Sequence, residues 1–449
     1  MAQNLQYAGE YQLKELLLHT SSGSVLPMTK AVQSIDIFED MFSPSLSGTV
    51  TILDVDNMAE NGPIIGQEYL TLRLATPSLD EHEIDIMFSV YKVGVREAVS
   101  QDTQLLSLSL TSPELLKNKQ VRVSKSYTDT IHNIIDSVLR DQRYINTDKN
   151  IFLEQTSGIR KVVSPNLHPF DFIRNLVNEA QTEKDKSPYF FFFENLKGIQ
   201  VKSLGAILAE ETIGNFNVAT TVSTSQKDKA VTIDHEKDFA RALEFQINSN
   251  NDMLLNTMSG LLGSTIIEYN IYNKSFTKNS YSYFDDFERF PRIDENPVFS
   301  NIEGEFDNSK LFLHPISTNG TFDSSHVGAA YQYQYKEIGA DGIPFRRAKI
   351  MELNSGVNIT MKVNGNTTLA AGQTINLTVP VSGRIHEKEN DEYYSGRYLI
   401  TQLRHSFYQP DKKHEIIITA SKDSLPKEQP TSSESRPKAR DGDTTILEY

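Results

Sequence analysis

The chain has 449 residues with no cysteine and no tryptophan, and its 44 basic against 59 acidic side chains leave a formal charge of −15. That length predicts about two to four domains, each able to bury its own core. The missing cysteine excludes disulfides, cysteine-ligated metals and thiol nucleophiles, and the acidic balance excludes tight wrapping of duplex nucleic acid, though not its passage along a wall that repels it.

No apolar run approaches the roughly 20 residues of a membrane span, so no membrane insertion is expected. The cluster Leu16–Leu18, with no basic residue before Lys14, is too short for a signal peptide. A protein assembled in a cytoplasm, or released by lysis, is expected. From about Ser34 to Leu110 apolar and polar residues alternate with period two in SGTVTILDV, EYLTLRLA, IDIMFSVYKVGV and QLLSLSLTS, which predicts short antiparallel strands of a small barrel or sandwich. A helix follows, capped by Asp129 or Thr130, with Ile131, Ile134, Ile135, Val138 and Leu139 on one face. A second begins at Pro169 and turns Phe170, Ile173, Leu176, Val177 and Ala180 inward. SPYFFFFENLKGIQVKSL reads as two strands, the run Tyr189–Phe193 covered on both faces. Strand signal returns in RALEFQINS, followed by a helix carrying Leu254, Leu255, Met258, Leu261 and Leu262, an apolar stripe read as core. Polar and aromatic residues from about Asn273 to Pro344 show no sustained period. A helical stretch from Arg346 leads into a last strand-rich block, and the final segment lacks periodicity and reads as a flexible tail.

The expected fold class is α+β, mainly β: two similar small antiparallel β-barrels plus an inserted α+β domain. The expected divisions are a first barrel over 1–112, an α+β middle domain over 113–235, a second barrel over 236–272 and 345–425, an irregular insertion over 273–344, and a tail over 426–449. The two β blocks resemble each other. In the first, Thr49–Leu53 leads through an Asp/Asn/Gly loop to Gly66–Gln67 and EYLTLRL; in the last, NITMKV leads through Asn364–Gly365 to Gly372–Gln373 and TINLTV. The distances from Gly66 to Thr111 and from Gly372 to Thr419 differ by two residues, and the two Gly-Gln strands are one residue out of phase. Any two antiparallel barrels with a hairpin and a glycine share part of this pattern. If it is a true repeat, three chains make a ring of six barrels, with near-sixfold symmetry on one face and threefold symmetry on the other.

HPFDFIRNLVNEA followed by SPYFFFFENLKGIQVKSL, and the ending SGRYLITQLRHSFYQPDKKHEIIITASKDSL, resemble the central baseplate hub of contractile, T4-like phage tails. The late control protein D family and the base of the VgrG spike of type VI secretion are relatives of that hub. The resemblance spans roughly Ser34 to Leu425. It implies a homotrimer in which tail-tube-like barrels form a pseudo-hexameric torus in the virion's tail baseplate. The implied partners are a hexameric tail tube protein, a trimeric tail spike protein and baseplate wedge proteins, with DNA and tape-measure protein in transit. The sequence ends without the VgrG β-helix, so on this resemblance the spike is expected to be a separate chain. On this reading Gly66, Gln67, Tyr69, Leu72 and Thr111 of the first block, and Gly372, Gln373, Ile375, Leu377 and Thr419 of the second, mark the torus wall and subunit contacts. Part of the −15 charge is expected to line the channel.

Catalytic and metal motifs are missing. No His-x-His, His-x-x-x-His or HExxH occurs, and no GxSxG. His386–Tyr394 and the pair Asp54 and Asp56 gather carboxylates, but a solvated hairpin tip and a broken calcium-loop frame explain them. Neither catalysis nor a cofactor is expected. Two other readings stand beside the hub: the equivalent part of an injection or type VI-like secretion device, and a carbohydrate-binding or depolymerising surface protein using the tyrosines of SYSYFDDFERF.

Overall fold

The computed structural model describes residues 7–54, 64–77, 83–100, 103–218, 224–227, 230–233, 238–249, 252–270, 274, 276–299, 306–316, 342–381 and 390–428. The alternation between Ser34 and Leu110 builds an antiparallel sheet. Its strands are β1 (Gln12–His19), β2 (Val32–Asp40), β3 (Ser47–Asp54), β4 (Tyr69–Ala75), β5 (Ile84–Ala98) and β6 (Gln104–Thr111), in the order β2-β3-β6-β5-β4-β1. Alternate residues enter one core: Ile35, Ile37, Val50, Ile52, Leu70, Leu72, Leu74, Leu108 and Leu110 are almost completely buried. Each such side chain contributes on the order of 1.5–3 kcal/mol. Strand β1 was not expected. Leu16 and Leu18, from the cluster too short for a signal peptide, are its inner face.

The middle unit follows the helical periodicity. Helix α1 (Pro113–Gln120) leads to α2 (Ile131–Arg140) and α3 (Pro169–Glu179). All five expected inward residues of α2 are buried; Thr130 occupies its N-cap, but the side chain makes no capping bond. Pro169 opens α3, as its fixed φ and missing N–H allow. Strands β7 (Phe190–Asn195) and β8 (Gly198–Ser203) form a hairpin, and β7 is covered on both faces as its aromatic run implies. Phe190 packs with Ile131, Ile173 and Val201, whereas Tyr189, Phe191 and Phe193 enter a separate cluster.

Strand β9 (Asn215–Asn217), within the stretch expected to belong to the middle domain, joins the second sheet instead. Then come β10 (Ala242–Ser249), α4 (Met253–Ser259), β11 (Gly263–Asn270), β12 (Phe276–Ser282), β13 (Leu311–Ile316), α5 (Gly342–Ser355), β14 (Val357–Asn364), β15 (Thr374–Thr378), β16 (Gly396–Tyr408) and β17 (Lys413–Lys422). The second sheet runs β10-β14-β17-β16-β15-β9. Asn217 also bridges to Arg241 at the entry of β10, which draws the two ends of this sheet together.

Two expectations change here. The described residues of the stretch 273–344 are more regular than its lack of period suggests, because β12 and β13 flank β11 in one small sheet. Their strand signal is weakened by Lys278, Asn279 and Pro315, residue types depleted in strands. The stripe through α4 is also only partly core. Leu261 and Leu262 are buried beyond the helix end, but Leu254, Leu255 and Met258 are 71%, 59% and 63% exposed. The expected tail from 426 lies outside the described residues beyond position 428.

The insertion packs through its aromatic rings. Tyr281, Tyr283, Phe287 and Phe299 are buried with Phe345 of α5 and Tyr189, Phe191 and Phe193 of the middle unit. Tyr281 meets Phe345 edge-to-face at 4.8 Å between centroids, and Tyr189 meets Phe290 at 5.2 Å. Beside this cluster four charges share one dry site. Lys349 Nζ donates to Glu352 at 2.6 Å and to Asp423 at 2.7 Å, and Arg292 donates to both oxygens of Glu352 at 2.9 and 3.0 Å. They tie the insertion, α5 and the chain beyond β17 together.

Candidate assembly interface

Pairing register, more than composition, shows that the two sheets are one design used twice. Both have the same strand order, with β2, β3, β6, β5 and β4 answering to β10, β14, β17, β16 and β15. Both carry bulges at matching places: β2 slips between Val32 and Ser34 against β3, and β10 slips between Ala242 and Glu244 against β14. The long strands share one slip, β5 between Val90 and Lys92 and β16 between Ile400 and Gln402, and β5 has a further one between Val93 and Arg96. Bulges disrupt a ladder locally and re-aim the strand, so two coincident pairs of them mark a shared construction.

The register also corrects the sequence spacing. Thr111 lies opposite Ser89, which lies opposite Tyr69; Ser421 lies opposite Leu399, which lies opposite Thr374. The counterpart of Thr111 is therefore Ser421, two residues beyond Thr419. The repeated feature before β4 and β15 is not the glycine but an acceptor side chain one position later in the first block. Glu68 accepts from the Ile65 N–H at 2.7 Å, and Gln373 accepts from the Ala370 N–H at 2.8 Å. The carbonyls of Glu68 and Gln373 accept from Val90 and Ile400 at 2.8 Å each.

Within one chain the two units meet along β2 and β16. Their pairs run from Gln402 opposite Asp40 to Tyr408 opposite Ser34. On one face Arg404 Nε donates to Asp36 at 3.0 Å and Gln402 to Asp40 at 3.1 Å. The other face is dry. The Ala371 N–H donates to Glu39 at 2.7 Å, Glu39 lies 3.2 Å from His405 Nε2, and His405 Nδ1 lies 3.1 Å from His414 Nε2. A proton on His405 Nε2 facing the carboxylate leaves Nδ1 to accept from His414 Nε2–H, and His414 Nδ1 then has neither proton nor partner. Burial first, and His405 second, push the His414 pKa well below the usual histidine value. Phe407 passes through the seam into the first core, where Tyr11 meets it edge-to-face at 5.0 Å.

The ten residues expected at the wall and contacts separate by burial. Leu72, Ile375 and Leu377 are core residues of their units, and Thr111 is buried with its hydroxyl donating to the Leu46 carbonyl at 3.3 Å. Gly372 adopts φ +81° against Phe193, so it too is structural. Gln373 and Thr419 are half-buried. Gly66 is half-buried beside Lys92 of β5, Gln67 is exposed, and Tyr69 is 47% exposed. Periodicity missed the edges. From Glu244 to Ser249, β10 has no strand partner on its outer edge among the described residues, and from Lys92 to Ala98 neither has the edge of β5 away from β6. Exposed Tyr91, Val95 and Val99 are the visible sign. Among the described residues no cluster of His, Asp or Glu could hold a metal ion, and no helix is long and apolar enough to cross a membrane. His386 and Asp56 of the two carboxylate clusters lie outside the described residues.

No protein-family model matches the sequence, and no curated protein matches it. Solved structures do. The tail protein from Neisseria meningitidis MC58 superposes with a TM-score of 0.51 at 9% identity, over 93% of this chain and 98% of that one. The 43 kDa tail protein of prophage MuSo2 from Shewanella oneidensis gives 0.52 at 9% identity, over 92% of this chain and all of the other. The E. coli c3393 protein, a component of the type VI secretion system, gives 0.45 at 10% identity over 95% and 81%. Over more than nine-tenths of its length, the chain has the fold of the two tail proteins.

Proposed function

We propose that three copies of the chain form the hub of a contractile tail's baseplate. The ring of six similar units would join a sixfold tail tube on one face to a threefold spike on the other, around a channel for DNA and tape-measure protein. One observation supports the ring: the chain carries both halves of its own seam a second time, without strand partners among the described residues. The seam joins a bulged edge strand, β2, to the far half of a long bulged strand, β16. The counterparts are β10 and the far half of β5, and both have open edges. Pairing them between copies repeats the internal contact as a heterologous one, which closes when each step turns the unit by one sixth of a circle. With two units per chain, closure takes three chains.

Carrying the seam's register across places Gln246 opposite Glu97 and Phe245 opposite Ala98, the counterparts of Asp36 with Ser406 and Ile35 with Phe407. Tyr69, Gly66 and Gln67 then flank the contact, while Leu72, Ile375 and Leu377 set the shape of the wall. The function is structural, and the charge of −15 suits a lumen that DNA passes without adhering. An injection or secretion device would use the same ring. The carbohydrate reading loses its basis, since Tyr281, Tyr283 and Phe287 are buried and offer no ring face to a sugar.

The absence of natural cysteine makes the register testable. Opposite residues of an antiparallel pair lie about 4.5–5.5 Å apart at Cα, within disulfide reach. Mild oxidation of a Gln246→Cys/Glu97→Cys chain should give a covalent trimer. Failure to form any inter-chain disulfide would contradict the seam.

A further inference from the structure

Helix α4 turns an apolar face to solvent in the isolated chain. Leu254, Leu255 and Met258 stand at i, i+1 and i+4, one face of the helix, and all three are more than half exposed. On the first unit there is a cleft of about 510 Å³ between β4–β5 and α1, lined by Tyr69, Met87, Ser89, Pro113, Leu116 and Ile145. Tyr69 and Met87 are each 47% exposed on its wall.

The internal seam indicates how these two surfaces relate. Where β2 ends, the chain continues across β16: the Met41 N–H donates to the Thr401 carbonyl at 2.9 Å. Met41 is buried in the cluster that holds Leu399 and Phe191, and the Phe42 ring lies 6.3 Å from Phe191. The segment leaving the edge strand thus crosses the strand it pairs with and buries apolar side chains on the far side. The counterparts of Thr401 and Leu399 are Tyr91 and Ser89, and the segment after β2 answers to the segment after β10, which enters α4 at Met253. Ser89 lines the cleft and Tyr91 is 52% exposed at its rim.

We propose that α4 of each copy seats Leu254, Leu255 and Met258 in the cleft between β4–β5 and α1 of the next copy. This rests on the ring proposed above and names its lock. The occupant is a second copy of this chain because the helix face continues the same strand edge that forms the inter-copy seam. The apolar helix face and the apolar part of the cleft wall, Tyr69, Met87, Leu116 and Ile145, remove one another from water, while Asp85, Lys117 and Asp148 border the contact.

Two singly substituted chains, Met258→Cys and Met87→Cys, are mixed in equal amounts and treated with a flexible bis-maleimide; the seam pair Gln246→Cys/Glu97→Cys is oxidised in parallel. Both treatments should give inter-chain products. A cysteine-free Leu254→Asp/Met258→Asp chain should keep the wild-type circular dichroism and melting curve of the monomer, because these side chains are solvated there. Its trimer should half-dissociate at a protein concentration at least tenfold higher. If the seam disulfide forms while the Met258 and Met87 chains give no product and the aspartate variant assembles like wild type, α4 does not dock in the cleft and the ring stands without it. If neither product forms, the ring itself is refuted and the lock with it.

Discussion

Replacing Lys349 by methionine keeps the length of the side chain and removes the one ammonium in the charge cluster beneath the insertion. Lys349 is 1% exposed at its side chain, and it bonds Glu352 and Asp423 at 2.6 and 2.7 Å. After the change Glu352 still has Arg292, but the Asp423 carboxylate, fully buried, keeps only the Ile293 N–H at 3.0 Å and the Ser424 hydroxyl at 2.7 Å. Removing one partner of a buried pair costs about 3–5 kcal/mol, because the other charge stays dry and uncompensated. Urea unfolding followed by far-ultraviolet circular dichroism suits a chain without tryptophan. The pH dependence separates charge from packing. In the wild type burial alone would raise the Asp423 pKa, but Lys349 and Arg292 outweigh it and hold the carboxyl below its usual range. That stabilisation is present above the unfolded pKa and is lost as pH falls through the folded one. In the variant the same carboxyl is forced upward, so the penalty should be largest near pH 7.5 and shrink toward pH 5 as Asp423 takes a proton. Lys349→Met/Asp423→Asn should recover most of the loss. A penalty below about 1 kcal/mol, or one equal at both pH values, would refute the reasoning.

The depressed His414 pKa makes a second pH prediction. The unfolded chain binds the proton from about pH 6.5 downward while the folded one resists it, so stability falls as pH drops below that value. His414→Gln, which keeps a donor toward His405, should flatten the wild-type decline in melting temperature between pH 7.5 and 5; parallel curves would contradict the neutral assignment. Two glycines should separate backbone strain from packing. Gly23, at φ +85° with nothing within 4 Å, should lose about 1 kcal/mol on change to alanine, whereas a Cβ on Gly372 would lie 2.4 Å from the buried Phe193 ring and should cost about 2–4 kcal/mol. Equal losses in denaturant unfolding would show that Phe193 yields freely.

The parts of the fold that were legible in the sequence are those where one face of an element is buried. Ile131 to Leu139, the opening of α3 at Pro169 and the alternation of β3 and β6 each show that face directly as a period. Repeat spacing was legible only approximately, because a bulge adds a residue without leaving a compositional mark; Val90–Lys92 and Ile400–Gln402 look like ordinary strand. The Gly-Gln pairs drew attention since glycine is conspicuous, yet the shared bond belongs to Glu68 and Gln373, and only the N–H groups of Ile65 and Ala370 reveal it. The insertion's tyrosines read as surface because they are flanked by Asp285, Asp286 and Glu288, while the rings themselves fill the space between three parts of the chain. The open edges of β10 and β5 have no sequence signature at all, because an unpaired edge depends on which strands lie beside it; in the proposed ring that neighbour is another copy.

The native mass of the unmodified chain, measured by light scattering across a concentration series, tests the central claim most directly. A species of about 152 kDa, three times the 50.7 kDa of one chain, is expected, dissociating straight to monomer on dilution. A twofold dimer, or a monomer at every concentration alone and with a trimeric spike protein, would contradict the claim.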